Sequence, residues 1–285
     1  PKFYIDFENE DSRDAGKDIA LEVERLKQAG VQGIVMDVRD NGGGSLKTVV
    51  DIAGLFIDQG PIVQIKSAGK KKEILYDKDP KIQWDGPLVV MVNSFSASAS
   101  EILAAAIQDY KRGVIIGSTQ TYGKGTVQNV IDLNQFVRSN SMGDLGALKT
   151  TTQKFYRING GSTQLNGVSS DVALPDRYSY IKMGERDIDN VMPWDKIDAA
   201  DYKVWNKQSN FDLAVENSKR RMEQSDQFKL IEENARWIKE RQEEKNFSLN
   251  IDKFKQEQAS LEEKAKKYKA ITDYKNSLKF TSLPY

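Results

Sequence analysis

The 285-residue sequence contains no histidine and no cysteine. Without histidine, a Ser-His-Asp triad, a Cys-His pair and a His-ligated zinc site are all excluded. Without cysteine, thiol nucleophiles, disulfides and Cys-ligated metals go as well, and no redox compartment is favoured. A hydrolase built from this chain must take its base from Lys, Asp, Glu or Tyr. Net charge is missing too, since Lys+Arg and Asp+Glu both number 42. A balanced chain has no whole-molecule attraction for nucleic acid or anionic lipid, so nucleic acid is not expected as a partner. No apolar run approaches the ~20 residues of a membrane span, and no signal peptide is visible. The first residue is Pro1 rather than Met, which reads as a processed product or an excised piece, with any export signal upstream.

At about 150 residues per domain, the length suits one large or two modest domains. A hydrophobic share of 39% suffices for a core. Phe3 to Phe7 alternates like a short strand, and Asp11 to Ala29 reads as a helix ending at Gly30. Three β-rich apolar runs, Gly33–Val38, Pro87–Val92 and Val114–Gly117, are expected as buried strands. Leu46–Phe56 and Glu101–Tyr110 have helical character between them. Ile62–Lys66 is a further strand, with Lys70–Lys72 at an exposed hairpin tip. Thr150–Ile158 alternates as another strand before a Gly160-Gly161 turn. This alternation predicts an α/β fold with helices packed on a β-sheet. From Tyr202 the composition shifts to Lys, Glu, Gln and Asn. Phe228, Ile231, Ala235 and Ile238 share one helical face, and Leu261–Leu278 is a second, weaker helix. The expected organisation is a core over 1–176, a linker or irregular segment over 177–200, and a helical region over 201–285.

Three turns carry candidate chemistry. After the Pro87–Val92 strand comes Asn93-Ser94-Phe95-Ser96-Ala97-Ser98-Ala99-Ser100-Glu101. A serine there is presented between a strand and a helix N-terminus whose N–H groups favour a developing anion. The plainer alternative is helix capping, for which serine is common. Lys124 stands between Gly123 and Gly125, where the backbone is permissive and a lysine can reach into a crowded site. Free lysine titrates near ~10.4, and burial brings such a group toward roughly 7–8, where general-base work is effective. The plainer alternative is a surface turn. A phosphate loop is ruled out because Gly125, not Ser or Thr, follows the lysine. The run Asp40-Asn41-Gly42-Gly43-Gly44 permits close backbone approach. Its N–H groups suit an oxyanion hole, or it is simply a turn.

Taken together, S-A-S-A-S-E-I at 96–102, A-x-Q-D at 106–109 and G-K-G-T-V-Q at 123–128 resemble the carboxy-terminal processing proteases, peptidase family S41. D-V-R-D-N-G-G-G at 37–44, G-L-F-I at 54–57 and Q-K-F-Y-R-I-N-G-G-S-T-Q at 153–164 extend the likeness. Met192–Asp195 and Ile197–Ala200 resemble the family's bacterial periplasmic, tail-specific branch. Two departures stand out. Ser170 replaces the usual proline of G-V-x-P-D at 167–171, and Gly117–Thr121 is one residue longer than the usual loop before G-K-G.

The resemblance implies a crotonase/ClpP-like protease core followed by a C-terminal helical region. It implies Ser98 as nucleophile, Lys124 as base and Gln128, one helical turn beyond, as the residue orienting the lysine. Oxyanion donors are implied at the N–H groups of Ala99 and of Gly44 or Gly43, and Asp109 is implied as a supporting, structural group. Neither metal nor cofactor is implied. The implied partners are protein or peptide substrates with apolar C-termini, an upstream PDZ domain that this chain does not contain, and association into a homo-oligomer. The implied location is the bacterial periplasm or the periplasmic face of the inner membrane. A non-catalytic scaffold on the same fold is the alternative function. A CoA-binding acyl-transfer or isomerase enzyme on a crotonase-like core would leave Ser98 and Lys124 idle.

Overall fold

The three apolar runs become neighbouring strands of one parallel sheet. In this computed structural model, which describes residues 2–6, 12–137, 143–206 and 210–279, the first of them is β1 (Ile34–Asp37). Helix α1 (Ala15–Gln28) precedes it, capped by the Asp14 carboxylate, which accepts from the Gly16 N–H at 2.7 Å. Helix α2 (Leu46–Gly54) follows β1, capped by Ser45. Next come the hairpin β2 (Gly60–Ser67) and β3 (Glu73–Asp77), then β4 (Leu88–Val92), α3 (Ala99–Asp109) and β5 (Val114–Gly117). The core ends with β6 (Thr126–Asp132), β7 (Ala147–Tyr156) and the short β8 (Val172–Ala173).

The parallel sheet has the order β1-β4-β5-β8, with Ile34 opposite Leu88, Val89 opposite Val114 and Ile116 opposite Val172. Parallel neighbours need a crossover, and α3 supplies it between β4 and β5. Its buried Ala104, Ala105 and Ala106 let the helix axis come close to its neighbours. The second sheet is antiparallel, in the order β3-β2-β7-β6. Val49, Ile52, Phe56, Val90, Leu103 and Ile115 belong to one apolar cluster.

Several expectations shift at their edges. Phe3 makes a single parallel bridge to Gly44 rather than a strand, because the segment pairs only there. Phe7 and Asp11 lie outside the described residues, as do Pro1 and 280–285 at the chain ends. The supposed linker is largely a strap on the core. Trp194 donates its ring N–H to the Ser162 carbonyl at 2.8 Å, and Asp195 pairs with Lys154 and accepts from Tyr156. The N–H groups of Ala200 and Trp205 donate to the carbonyls of Ile158 and Tyr110. Its polar composition suits a linker or an irregular segment. The backbone pairs with the core, and residues 183–215 belong to that unit.

The second unit comprises 174–182 and 216–285, and its described helices lie in the second of these segments. Helix α4 (Phe211–Gln224) leads into α5 (Asp226–Glu243) and α6 (Ile251–Ser277). Within that unit the rings of Trp237 and Tyr268 lie 5.3 Å apart, Lys267 pairs with Glu233, and Ala235 is buried. Helix α6 begins ten residues before the periodicity suggested. Asn250 caps it with two hydrogen bonds, and its exposed faces carry no strong apolar stripe to read.

One buried cation fixes three connections of the core. Arg112, fully buried after α3, donates from Nε to the Phe56 carbonyl at 2.6 Å and from Nη2 to the carbonyls of Trp84 and Gly86 at 2.7 and 2.9 Å. The ring of Trp205 lies 4.9 Å from its guanidinium carbon. Burial pulls its pKa down to about 10 against the opposing charge of Asp85. Removing the side chain leaves three carbonyls without that donor and opens a hole. Arg112→Ala is therefore expected to cost about 3–5 kcal/mol in urea denaturation. A loss below about 1 kcal/mol would show that the three carbonyls do not need it.

Candidate active site

Two loops leave the carboxyl ends of the adjacent strands β1 and β4, the place where open α/β sheets bind ligands. Asn93 stitches the loops together, accepting from the Asp40 N–H at 3.0 Å and donating to the Asp40 carboxylate at 2.8 Å. Asn41 adds its carbonyl, which accepts from the Ala97 N–H and the Ser100 hydroxyl. The serine string is then divided by role. Ser96 is buried and donates to the Val38 carbonyl at 2.8 Å, while Ser100 is buried against Asn41. Ser98, between them, is only half-buried and lines a cleft of about 250 Å³.

Ser98 has φ 57° and ψ −114°, a left-handed conformation that a residue with a side chain adopts only under strain. It forms the sharp corner between β4 and α3, the arrangement that presents a nucleophile above a sheet. The corner is braced by Gly43, whose φ is +103°. A Cβ at Gly43 would lie 2.8 Å from the Ser98 Cβ and 3.0 Å from the Ala99 nitrogen. The N–H of Gly43 is already committed to the Asn41 side chain at 3.0 Å. Gly43 therefore serves here as a close-approach residue, and the expected oxyanion donation does not fall to it. Among the described residues the N–H groups of Ala99 and Gly44 find no acceptor, and both residues line the cleft.

The lysine loop reaches the same cleft from the other side. Lys124 Nζ lies 3.5 Å from Gln128 Oε1. Gln128 sits on β6 rather than a helical turn beyond, because Thr126 onward pairs with β7. A register shift between Val127 and Gln128 accompanies that contact. Ser98 and Lys124 line one cleft without a hydrogen bond between them, as is common where no substrate is bound. Leu46, Ile102, Val127 and Phe155 supply its apolar wall.

Glu101 joins the two halves. This carboxylate is fully buried, one turn into α3. Oε2 accepts from the N–H groups of Ser98 at 2.8 Å and Lys124 at 3.0 Å. Oε1 accepts from the Thr121 hydroxyl at 2.6 Å and the Gly123 N–H at 2.7 Å. Burial pushes its pKa up to about 7, opposed by these four donors. The sequence reading passed over Glu101, although Ser98-x-x-Glu101 is the pattern of a capping box.

Gln164, also buried, holds the far side of the loop. Its Oε1 accepts from the Gly125 N–H at 2.8 Å, and a Cβ at Gly125 would lie 2.6 Å from the Gln164 nitrogen. The loop before G-K-G is pinned by Ser170. Its hydroxyl donates to the Ser118 carbonyl at 2.7 Å, and its N–H donates to the Thr119 carbonyl at 3.2 Å. Asp109 is not in the cleft. It sits at the opposite end of α3, ~16 Å along the helix from Ser98. There it pairs with Arg157 and accepts from Asn159, while burial pushes its carboxyl up. Its role in the structure is to tie α3 to the chain after β7.

Residues 4–174 match the model of peptidase family S41, and residues 178–285 match the C-terminal domain of tail-specific protease. The chain is 40% identical over 254 residues to the tail-specific protease of Haemophilus influenzae, covering 88% of this chain and 35% of that protein. It is 35% identical over 187 residues to a carboxy-terminal-processing protease of Bartonella bacilliformis, covering 62% and 40%. Among solved structures, the photosystem II D1 C-terminal processing protease superposes with a TM-score of 0.50 at 33% identity, over 61% of this chain and 40% of that one. The chain thus spans 35–40% of the length of these two protein relatives.

The four-donor cradle makes Glu101 testable. Glutamine keeps the shape but replaces one acceptor oxygen by an amide that faces N–H donors. Glu101→Gln is expected to lower turnover at least about a hundredfold through misplacement of both loops. A pH signature accompanies it. The folded pKa of about 7 exceeds the ordinary 4.5, so the folded chain holds the proton more tightly than the unfolded chain. Relative to the variant, the parent's stability should rise by roughly 3 kcal/mol as pH falls from about 7 to about 4.5. Urea midpoints across that range measure it, and a flat difference would contradict the assignment.

Proposed function

Since the chain belongs to peptidase family S41, we propose that it is the catalytic part of a serine endopeptidase working with Ser98 as nucleophile and Lys124 as general base. The observation that carries this reading is that Ser98 and Lys124 line one cleft on two loops sharing the Glu101 carboxylate as acceptor. Ser96 and Ser100 have buried structural tasks, which leaves Ser98 as the serine of the string facing the cleft.

On this reading the reaction runs as follows. Lys124, with a free electron pair on Nζ, takes the proton of the Ser98 hydroxyl as Oγ attacks the scissile carbonyl. The carbonyl oxygen becomes an oxyanion that accepts from the N–H groups of Ala99 and Gly44. Such a donor is worth roughly 3–4 kcal/mol in comparable sites. The intermediate collapses, the C–N bond breaks, and Lys124 gives its proton to the leaving amine. Lys124 then takes a proton from water, hydroxide attacks the acyl-enzyme, and the proton returns to Ser98 as the acid leaves. Gln128 positions the lysine through its 3.5 Å contact. No step requires a metal or cofactor.

The relatives' names, tail-specific and carboxy-terminal-processing protease, support protein C-termini as what is recognised, and the substrates this reading assigns are unfolded or tagged proteins with apolar C-termini. In the longer protein a PDZ domain upstream of Pro1 would deliver them, and the periplasm is the compartment this reading assigns. Among the described residues no helix is long and apolar enough to cross a membrane.

The test is degradation of an unfolded protein bearing an apolar C-terminal tail, using the full-length protein that contains this chain. Ser98→Ala and Lys124→Ala should each lose at least about a thousandfold in turnover, and Gln128→Ala about tenfold. Undiminished cleavage by Ser98→Ala, or an inactive full-length parent, would overturn the reading.

A further inference from the structure

The charges around the cleft are one-sided. Its lining includes two lysines, Lys124 and Lys149, and no carboxylate. Lys124 has a partner in Gln128 and a task in the proposed chemistry. Lys149 has neither: it is exposed on β7, and among the described residues no acidic group pairs with it. Its place is fixed by the ladder between β6 and β7. Thr151 stands opposite Gln128, and Lys149 stands opposite Val130. Opposed residues share a face and side chains alternate, so Gln128, Thr151, Val130 and Lys149 all project on one side of the sheet. Two residues along a strand span ~7 Å, so Lys149 begins about that far beyond Gln128.

We propose that Lys149 is a specificity-determining residue that receives a carboxylate of the substrate close to the bond to be cut. The proposal rests on the peptidase reading above. The carboxylate comes either from an acidic side chain or from the free C-terminus of a polypeptide. The unpaired cation at the rim attracts either one through the same ionic contact. The apolar wall formed by Leu46, Ile102, Val127 and Phe155 offers the neighbouring substrate residue no competing charge. Exposure keeps the contact modest, worth about a fivefold preference at low salt, and makes it sensitive to screening.

Binding separates this proposal from the cleavage reading. The full-length protein carrying Ser98→Ala is titrated, by fluorescence anisotropy at low salt, with three labelled peptides. One has an acidic side chain scanned through the positions flanking the cleavage site and an amidated end. The second is neutral with a free C-terminus, and the third is neutral and amidated. One of the two carboxylate peptides should bind about fivefold tighter than the third, and which one does so identifies the source. The preference should vanish in Lys149→Gln, invert in Lys149→Glu and fade at about 0.5 M salt. Equal affinities, no binding by any peptide, or a preference that survives Lys149→Gln would overturn the assignment. Cleavage by the parent decides the Ser98–Lys124 reading independently of these affinities.

Discussion

A carboxylate fully removed from water needs donors around it, and Glu101 takes all of its donors from the two loops that must meet. Its position on the first turn of α3 places it under the Ser98 corner. Its other contacts, Thr121, Gly123 and Lys124, belong to a loop twenty or more residues later. The fold brings these segments near one another, and the buried charge then sets their separation. Loops are ordinarily the variable part of a domain. Here one buried carboxylate, accepting four hydrogen bonds, ties two loops together.

Around that anchor the structure assigns neighbouring residues of the same type to different work. Ser96 and Ser100 close hydrogen bonds to the β1 loop, and the alternation turns Ser98 the other way. Gly43 and Gly44 follow the same logic. The first lets the backbone touch the corner, and the second lines the cleft. Arg112 does for the sheet connections what Glu101 does for the loops, gathering carbonyls from segments far apart in sequence. Both are buried ions whose value lies in the geometry they enforce, since burying charge is costly in itself.

Much of this was legible in the sequence because it is local. The strand runs at 34–37, 88–92 and 114–117 stand out as apolar, β-rich stretches, and the Ser, Lys and Gly turns follow at their ends. What escaped was non-local or ambiguous. Glu101 looks like an ordinary capping glutamate until the Lys124 loop folds onto it, and Gln164 lies 39 residues from its partner Gly125. Gln128 was placed four residues after Lys124 on a helix. A spacing of four suits a helix face and, with an irregular register, also a strand. That 183–206 is an irregular segment holding onto the core could not be told from a linker, because it does so through backbone groups and through Trp194 and Asp195, which composition does not reveal.

The contact made by Ser170 has a consequence for the turn that leaves β5. A proline at this place has neither the N–H that reaches Thr119 nor the hydroxyl that reaches Ser118. The turn that leaves β5 is therefore held by a residue donating from backbone and side chain at once. Proline at 170 would remove both donors in a single step, so the path from β5 toward Lys124 has two of its ties at one position.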